Sequence, residues 1–600
     1  MAGKLTQLYR LIRYGLPLRR LVPDGDLTLA DLIERQVEKR GDHPVVLYED
    51  RQLSYREYNE IANRFAHWAI SRGLRTGDVV ALLMENRPEF LCVWAGLAKV
   101  GITAALINTN QPGRALHHAI SESGAGLAIV GSECLALYET LDGDATWKLA
   151  VVREEGESDE AAARFPENAE DLTAALGTQP TGNPPREVRV NARTGDELFY
   201  IYTSGTTGLP KAARFSHIKF VSAGTAARFG GFGPKDIMYC ALPLYHSAGG
   251  AMAAGAVLLS GGTLALRRRF SASQFWEDIR RYDATAFQYI GEFCRYLLNR
   301  PADPRDGQHR IKLIIGNGLR PDIWEEFRDR FRLPSIIEFY GATEGNVAML
   351  NMDNKVGSVG RIPLKRMMDA RLIRYDVEKD EYLLDENGHC IECEPGEVGE
   401  LIGAMPSTSD DARGRFEGYT SKAATEKKIL SDAFEDGDLF FRTGDLLKAD
   451  AEGYFYFIDR IGDTFRWKGE NVSTQEVAEA VGVYPGVQMT NVYGVEVAGT
   501  DGRAGMAALV LEDPTAFDGA AFYELVSGAL PSYAAPVFVR LQKEPEVTGT
   551  FKLKKGDLQD QGYDRSQVED PLFVRDDAAG RYVELTAERL RALETGELRI

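Results

Sequence analysis

The chain has 600 residues, of which 44% are hydrophobic and 26% charged, and its formal net charge is −19. Its length predicts about four domain-sized units, and its composition excludes a largely disordered protein. The acidic balance argues against a nucleic-acid partner, because a protein that neutralises a phosphate backbone needs a basic face. We therefore expect a folded protein of several domains.

Residues 1–26 form a basic segment. Its run KLTQLYRLIRYGLPLRRLV is interrupted by Arg10, Arg13, Arg19 and Arg20, which excludes a signal-peptide core or a membrane span. On a helix, Lys4, Arg10 and Arg13 accompany an apolar stripe made of Leu5, Leu8, Tyr9, Ile12 and Leu16. The stripe either rests on an anionic membrane surface or packs onto the protein's own core.

The cysteines indicate a reducing compartment, and we expect a cytoplasmic protein, with the inner face of the membrane as the alternative location. Most of the six cysteines stand alone within apolar stretches. Cys390 and Cys393 form a CxxC after His389. Because no second ligand pair lies nearby, two half-buried thiols after the Asn387-Gly388 turn are favoured over a zinc site.

From Leu27 onward, helical and strand patterns alternate, which predicts an α/β fold. The helix TLADLIERQVEKRG is followed by the strand HPVVLYE, the helix YREYNEIANRFAHWAISRG and the strands DVVALLM and LAIVG. Later strands end in polar or glycine-rich loops, in ELFYIYT, KLIIGNGL and SIIEFYGATEG. Beyond Thr443, short strands and glycine-rich turns lead into a smaller α+β unit with the helices STQEVAEAVG and FDGAAFYELVSGAL.

The loop YTSGTTGLPK, Tyr202 to Lys211, has the composition of a phosphate-binding loop but fails the Walker pattern. Leu209 and Pro210 replace the required Gly-Lys pair, and Ala212 stands where a magnesium-binding hydroxyl belongs. Backbone amides and hydroxyls of this loop can still hold phosphates. The loop therefore predicts nucleotide chemistry other than ordinary γ-phosphoryl transfer.

Five loops in order resemble the core motifs of the adenylate-forming superfamily: TSGTTGLPK, LPLYHSAGG, YGATEG, RTGD and DRIGDTFRWKGEN. The phrases YIGEFCRYLL, GNGLRPDIWEEF and GDTFRWKGENVST are similar to its fatty acid transport protein and very-long-chain acyl-CoA synthetase branch. The resemblance spans Leu27 to about Lys552. It implies a large multi-subdomain α/β adenylation domain at 27–459 and a mobile α+β domain at 460–600.

The same resemblance implies an enzyme that activates a fatty acid with ATP and Mg²⁺ to acyl-AMP and pyrophosphate, then transfers the acyl group to coenzyme A. Glu344 and Thr206 would bind Mg²⁺, and both would be catalytic. The nucleotide would be bound by residues from the phosphate loop, the strand-end loops and the RTGD region: Thr203, Ser204, Gly205, Thr206, Thr207, Gly208, Lys211, Gly316, Asn317, Gly318, Tyr340, Gly341, Ala342, Thr343, Asp445 and Arg460.

The remaining implied roles concern the acid, the adenylation step and coenzyme A. His246 would lie beside the acyl site, with a structural histidine as the alternative. Lys552 would reach the carboxylate and α-phosphate, with Lys554 and Lys555 as weaker candidates. The hinge would be Gly462, or Asp463 if the match slips by one residue. A domain rotation would then place three residues along the pantetheine channel: Trp467, Lys468 and Gly469.

Three other functions stay open at this point. The protein could be a coenzyme A ligase for bulky bile or steroid acids, or a ligase that hands its acyl-AMP to a carrier protein. It could also be a membrane-associated fatty acid uptake or binding protein with little catalysis. Chain length of the acid and oligomeric state are not readable from the residues.

Overall fold

The computed structural model describes residues 2–18, 20–157, 165–204, 209–362, 368–377, 379–406, 414–468, 470–497, 500, 502–545, 547 and 553–594. Helices and strands are numbered in chain order. The helices are α1 (Ala2–Leu18), α2 (Leu29–Arg40), α3 (Tyr55–Ser71), α4 (Pro88–Ala98), α5 (Gly113–Glu122), α6 (Leu135–Tyr138), α7 (Leu172–Leu176), α8 (His217–Phe229), α9 (Ala254–Ser260), α10 (Phe275–Arg281), α11 (Gly291–Leu298), α12 (Pro321–Arg330), α13 (Lys422–Glu426), α14 (Thr474–Gly482), α15 (Gly519–Ala529), α16 (Gly556–Gln561) and α17 (Ala587–Glu594).

An eight-stranded sheet carries two of the predicted strand-end loops. Its inner strands pair in parallel, and its two edge strands pair antiparallel with their neighbours. From one edge to the other its strands are β15 (Ala348–Asn351), β14 (Ile336–Gly341), β13 (Leu313–Asn317), β12 (Ala286–Ile290), β10 (Ile237–Cys240), β11 (Thr263–Leu266), β1 (Pro44–Tyr48) and β2 (Arg51–Ser54). The neighbours β13 and β14 therefore bring GNGL and YGATEG to one end of the sheet.

A seven-stranded sheet carries the phosphate-type loop. Its strands are parallel except for the final antiparallel one. In spatial order they are β7 (Ala169–Asp171), β6 (Lys148–Val152), β5 (Leu127–Gly131), β3 (Val79–Leu83), β4 (Thr103–Leu106), β8 (Glu197–Ser204) and β9 (Pro210–Ser216). Strand β5 is buried at every residue, as expected of an inner strand covered on both faces. Between the sheets, Trp94 of α4 stacks on Phe199 with ring centroids 4.7 Å apart.

A smaller antiparallel sheet carries the RTGD motif. Its path is β16 (Ala370–Ile373), β19 (Val398–Ala404), β21 (Leu439–Ala449) and β20 (Ile429–Ser431), and β22 (Phe455–Arg460) also pairs with β21. A hairpin of β17 (Tyr375–Asp376) and β18 (Glu381–Tyr382) accompanies it. In β21 and β22, Asp445 lies directly opposite Arg460.

The C-terminal region has its own sheet and its own core. The sheet order is β25 (Val487–Glu496), β26 (Arg503–Leu511), β27 (Phe538–Gln542), β28 (Leu572–Asp576) and β29 (Arg581–Glu584), and β23 (Phe465–Trp467) pairs with β24 (Glu470–Val472). One cluster of buried apolar side chains spans Phe465 to Leu593. The predicted fold class, a large α/β unit followed by a smaller α+β domain, is confirmed.

The N-terminal helix α1 packs with the face opposite its predicted apolar stripe. Arg10 donates a hydrogen bond to the Gly230 carbonyl at 3.0 Å, and the Arg228 guanidinium lies 4.3 Å from the centre of the Tyr14 ring. The described part of the stripe points to solvent, with exposed fractions of 57% for Tyr9, 50% for Ile12 and 49% for Leu16. These three residues do not pack onto the protein's own core, so that alternative is wrong for them.

Among the described residues, the structure has no helix long and apolar enough to cross a membrane. Cys390 and Cys393 lie in an extended segment after a turn in which Gly388 adopts a φ of +85°. Cys390 is buried and bridges to Leu384 on the other side of that turn. The two cysteines therefore follow the Asn387-Gly388 turn in an extended segment, as the sequence predicted.

Candidate active site

The YGATEG loop leaves β14 at Gly341 and places the Glu344 carboxylate against the side chain of Tyr419. The Tyr419 hydroxyl donates a hydrogen bond to Glu344 Oε1 at 2.7 Å. Burial raises the pKa of Tyr419, and the adjacent Glu344 charge raises it further, so the hydroxyl keeps its proton near neutrality. Thr203, at the end of β8, also contacts this hydroxyl. Thr203 at the start of the phosphate-type loop and the candidate metal-binding Glu344 therefore contact the same tyrosine hydroxyl.

Lys219 supports the same loop from helix α8. Its ammonium donates to the carbonyls of Thr343 at 3.1 Å and Glu344 at 2.9 Å. The Glu417 carboxylate, 3.9 Å from that ammonium, also accepts the Ser216 amide at 2.9 Å. Burial lowers the pKa of Lys219, and the neighbouring carboxylates oppose that shift. Sequence reasoning missed both Lys219 and Tyr419, since neither belongs to a quoted motif.

The second part of the site joins Tyr340 to the RTGD motif. The Tyr340 hydroxyl donates to Asp445 Oδ2 at 2.6 Å, and Arg460 Nε lies 3.7 Å from the other carboxylate oxygen. Burial raises the pKa of Asp445, while Arg460 and the Tyr340 hydroxyl lower it. Asp445 therefore presents one carboxylate oxygen to Arg460 and is oriented through the other.

Glycines keep backbone accessible where β13 and β14 end. Gly318 has a φ of +83°, a conformation that side-chain-bearing residues rarely adopt. At Gly341, the Val347 carbonyl, at 3.4 Å, is the one atom of the described residues that an added Cβ would find within 4 Å. Both glycines are exposed, and Asn317, which precedes Gly318, is half-buried. Backbone from both loops is thus open to a flat ligand.

The phosphate-type loop is described at its two ends. Strand β8 ends at Ser204, and Thr203 pairs in register with Lys211 across the antiparallel β8–β9 ladder. The middle of the predicted loop lies outside the described residues: Gly205, Thr206, Thr207 and Gly208.

His246 precedes a stretch of π-helix, Ser247–Ala253, that continues directly into α9. Its Nδ1 accepts a hydrogen bond from the Ala248 amide at 3.3 Å. The next residue, Ser247, has its hydroxyl 3.3 Å from that of Thr343. His246 is therefore joined to the YGATEG loop through one intervening residue, and π-helical stretches are frequent at functional sites.

Two of the predicted coenzyme A residues, Trp467 and Lys468, lie at the end of strand β23 and just after it. Trp467 is buried and bridges to Gly502, and Lys468 adopts a φ of +52°. Gly469 and Lys552 lie outside the described residues. Lys555 donates to Asp463 at 2.9 Å and to the Thr474 hydroxyl at 2.8 Å. At Gly462 an added Cβ would meet no atom of the described residues within 4 Å.

Comparison with known proteins identifies the family of this chain. The model of the AMP-binding enzyme family matches residues 33–409. The chain belongs to this family. The predicted adenylate-forming enzyme is confirmed.

Within the family the chain resembles the long-chain fatty acid transport proteins. It is 39% identical to long-chain fatty acid transport protein 6 of Mus musculus over 99% of this chain and 95% of that relative. It is 40% identical to long-chain fatty acid transport protein 2 of Rattus norvegicus over 94% of this chain and 90% of that relative. The predicted branch is confirmed.

Solved structures show the same fold at lower identity. The anthranilate CoA ligase AuaEII with anthranoyl-AMP matches with a TM-score of 0.73 and 21% identity, over 89% of this chain and 97% of that one. The Mycobacterium tuberculosis fatty acyl CoA synthetase matches with a TM-score of 0.60 and 22% identity, over 89% of this chain and 98% of that one.

Proposed function

We propose that this AMP-binding enzyme is a long- or very-long-chain fatty acid:CoA ligase. ATP and the acid would form acyl-AMP and pyrophosphate, and coenzyme A would then take the acyl group. The observation that carries the proposal is that the YGATEG loop, which holds both Tyr340 and Glu344, is joined to the RTGD motif by the hydrogen bond from Tyr340 to Asp445. The names of the transport-protein relatives support a fatty acid as the substrate.

The phosphate end of ATP would be held by the loop between β8 and β9. Thr203, Ser204, Gly205, Thr206, Thr207 and Gly208 would offer hydroxyls and amides, and Lys211 would add a positive charge. Pyrophosphate would leave into this loop after the acid attacks the α-phosphorus. Such a loop acts by stabilising charge that develops on the phosphate oxygens.

Glu344 would bind Mg²⁺ together with Thr206, which lies outside the described residues. Mg²⁺ is usually held by one or two carboxylates together with substrate phosphates, and no cluster of three or more metal-ligating side chains occurs in the part of the chain that the structure describes. The ion, when bound, would neutralise phosphate charge. Tyr419 would aim the Glu344 carboxylate, and Lys219 would fix the backbone that carries it.

The nucleoside would lie across the ends of β13 and β14 and beside the middle of β21. Asp445 would accept the ribose hydroxyls, and Arg460 would meet the ribose or the α-phosphate. Tyr340 and the backbone of two loops would contact the adenine: Gly316, Asn317, Gly318, Gly341, Ala342 and Thr343.

Lys552 would supply the charge that steadies the carboxylate and α-phosphate during adenylation. A rotation about Gly462 or Asp463 would then withdraw it and bring Trp467, Lys468 and Gly469 to the coenzyme A channel. The contact of Lys555 with Asp463 supports a hinge in this region, because it ties the segment after Lys552 to the hinge residues.

The acid would enter beside His246 and the π-helical stretch. This stretch has the sequence SAGGAMA, whose side chains are nearly all small. Binding sites for apolar ligands are lined mainly by hydrophobic side chains. The neighbouring helix α11, in YIGEFCRYLL, would supply larger apolar walls through residues such as Phe293.

Pyrophosphate release across a panel of acids, with and without coenzyme A, tests the proposal. We expect release with long-chain fatty acids and stimulation by coenzyme A, together with loss of release in Glu344→Gln. Activity only with steroid acids would contradict the substrate class. Release that needs a carrier protein instead of coenzyme A would contradict the second half-reaction. No release with any acid would favour a binding protein.

We also propose that α1 holds the enzyme peripherally on a membrane, at the cytoplasmic face. Tyr9, Ile12 and Leu16 form an exposed apolar surface, and Arg13 is exposed beside them. An apolar stripe flanked by basic residues suits an anionic lipid surface. In a liposome sedimentation assay, the Ile12→Glu, Leu16→Glu double variant should no longer sediment with the liposomes. Val190→Glu, a control at another exposed apolar site, should sediment as the wild type does. Equal sedimentation of both would refute the contact.

A further inference from the structure

A buried glutamate and a buried tyrosine hold the end of strand β13, the segment at which adenine would bind. Glu338 is 2% exposed and lies beside Gly316 in the parallel β13–β14 ladder. Its Oε1 accepts hydrogen bonds from the amides of Gly318 and, at 3.3 Å, Leu319. Its Oε2 accepts the Tyr289 hydroxyl at 2.5 Å.

Tyr289 also packs directly against the glycine segment. A Cβ added at Gly316 would lie 2.2 Å from the Tyr289 carbonyl oxygen and 2.5 Å from its ring. Such contacts are far shorter than ordinary van der Waals distances. The end of β13 can therefore pack this closely against Tyr289 only if residue 316 is glycine. The segment is thus held on one side by packing and from the neighbouring strand by hydrogen bonds.

The RTGD motif is held in the same way. Glu400 is 0% exposed and accepts the Gly444 amide at 3.0 Å and the Tyr382 hydroxyl at 2.7 Å. Gly444 directly precedes Asp445, the candidate ribose ligand. In each of the two nucleotide-binding segments, a buried glutamate therefore accepts hydrogen bonds from a glycine amide and from a tyrosine hydroxyl.

We propose that Glu338 and Tyr289 are positioning residues for the nucleotide, and that the charge state of Glu338 sets how firmly the adenine segment is held. The inference rests on the proposed function, because it requires adenine at Gly316–Gly318. It assigns Glu338 no contact with the reacting atoms. Its effect passes through the amides of Gly318 and Leu319.

The two glutamates differ in their electrostatic surroundings. The guanidinium of Arg442 lies 3.5 Å from Glu400. The titratable groups that face Glu338 are Tyr289 from β12 and Cys294 from α11, and burial raises the pKa of both, so both are neutral near pH 7. Burial raises the pKa of Glu338 to about 8.

The protonated and ionised forms of Glu338 hold the segment differently. An ionised carboxylate accepts from both amides and from Tyr289. A neutral acid must donate its own proton, and the Tyr289 oxygen is the nearest acceptor. The tyrosine hydroxyl can then turn toward the Ile337 carbonyl, 3.5 Å away. Hydrogen bonds to a charged acceptor are the stronger ones, so the segment should tighten as pH rises through about 8.

Calorimetric titration of the full-length protein with ATP tests this without any acid substrate. We expect the Kd of the wild type for ATP to fall between pH 6.5 and 9. Glu338→Gln, which mimics the neutral acid, should bind ATP with an affinity within about twofold of wild type at pH 6.5 and about tenfold more weakly at pH 9. Tyr289→Phe should also weaken binding, with a smaller pH dependence than in the wild type.

Glu400→Gln is the matched control. It should weaken ATP binding yet keep the pH dependence of the wild type, because Glu338 is intact. A Glu338→Gln variant that folds, by its thermal unfolding midpoint, and keeps the wild-type pH dependence would overturn the assignment. A wild type that binds no ATP would overturn the proposed function itself, whatever the variants do.

Discussion

Replacing Tyr419 with phenylalanine should raise the magnesium requirement of the enzyme. The change removes the hydroxyl that donates to Glu344 Oε1 at 2.7 Å and leaves the ring in place. The carboxylate then loses the hydrogen bond from Tyr419 and can rotate away from the phosphate side. In the proposed reaction Glu344 must be aimed before the ion arrives, so the loss should be largest when Mg²⁺ is scarce.

The size of this effect follows from the chemistry of the bond. Hydrogen bonds to charged groups contribute about 1.5–3 kcal/mol, which corresponds to about 10- to 150-fold in kcat/KM for ATP. At saturating Mg²⁺ the ion itself orients the carboxylate, so we expect the loss to shrink below about tenfold. The assay is pyrophosphate release at fixed ATP with Mg²⁺ titrated from micromolar to millimolar concentrations.

A tyrosine with the same chemistry elsewhere provides the control. Tyr454 donates its hydroxyl to Asp353 at 2.6 Å, and neither residue belongs to a motif loop. Tyr454→Phe should leave the magnesium dependence unchanged. An equal loss in Tyr419→Phe at every Mg²⁺ concentration would refute the reasoning, and so would a loss below twofold throughout.

Three other predictions concern the proposed domain rotation and the stability of the protein at acid pH. Lys552→Ala should abolish acyl-adenylate formation but leave thioester formation from supplied acyl-AMP, and equal loss of both half-reactions would argue against its role. Lys555→Met, which breaks the contacts with Asp463 and Thr474, should cost less than about 1 kcal/mol of stability because that pair is partly exposed. The same variant should change the ratio of the two half-reaction rates, and an unchanged ratio would exclude a hinge role for the pair. His217 accepts the Leu29 amide at 3.1 Å, and burial lowers its pKa to about 4. Between that value and the ordinary pKa of about 6.5, the unfolded chain binds a proton at this histidine and the folded chain does not. The stability of the fold therefore decreases as the pH is lowered through this range. His217→Gln should therefore unfold at a lower pH by tryptophan fluorescence, and an unchanged midpoint would contradict this.

The motif loops could be predicted from the sequence because the residues of each motif are neighbours in the chain, and their types and order indicate their chemistry. The glycines of GNGL, the carboxylates of YGATEG and RTGD, and the strand patterns before them predicted nucleotide loops at strand ends. The structure places these loops at the ends of β13 and β14 and within β21. Strand identity was predictable for the same reason, since inner parallel strands such as β5 are continuous apolar runs.

The supports of the site could not be predicted in that way. Tyr419 is 75 residues from Glu344, and Lys219 is 124 residues from Thr343. Glu338 stands two residues before Tyr340 within an otherwise apolar strand, where the pattern predicts only a buried strand. A lone glutamate or tyrosine carries no sign of its partner until the chain is folded.

The N-terminal helix shows the same division. Its periodicity determined that one face would be apolar, but the stripe could equally have packed inward. Only the docking of Arg10 and Tyr14 against residues of and just after α8 decided that Ile12 and Leu16 face solvent. The sequence by itself thus determined the family, the nucleotide chemistry and the order of the loops, because these depend on local residues. The tertiary structure decided which distant side chains hold those loops, because such contacts depend on how the sheets and helices pack.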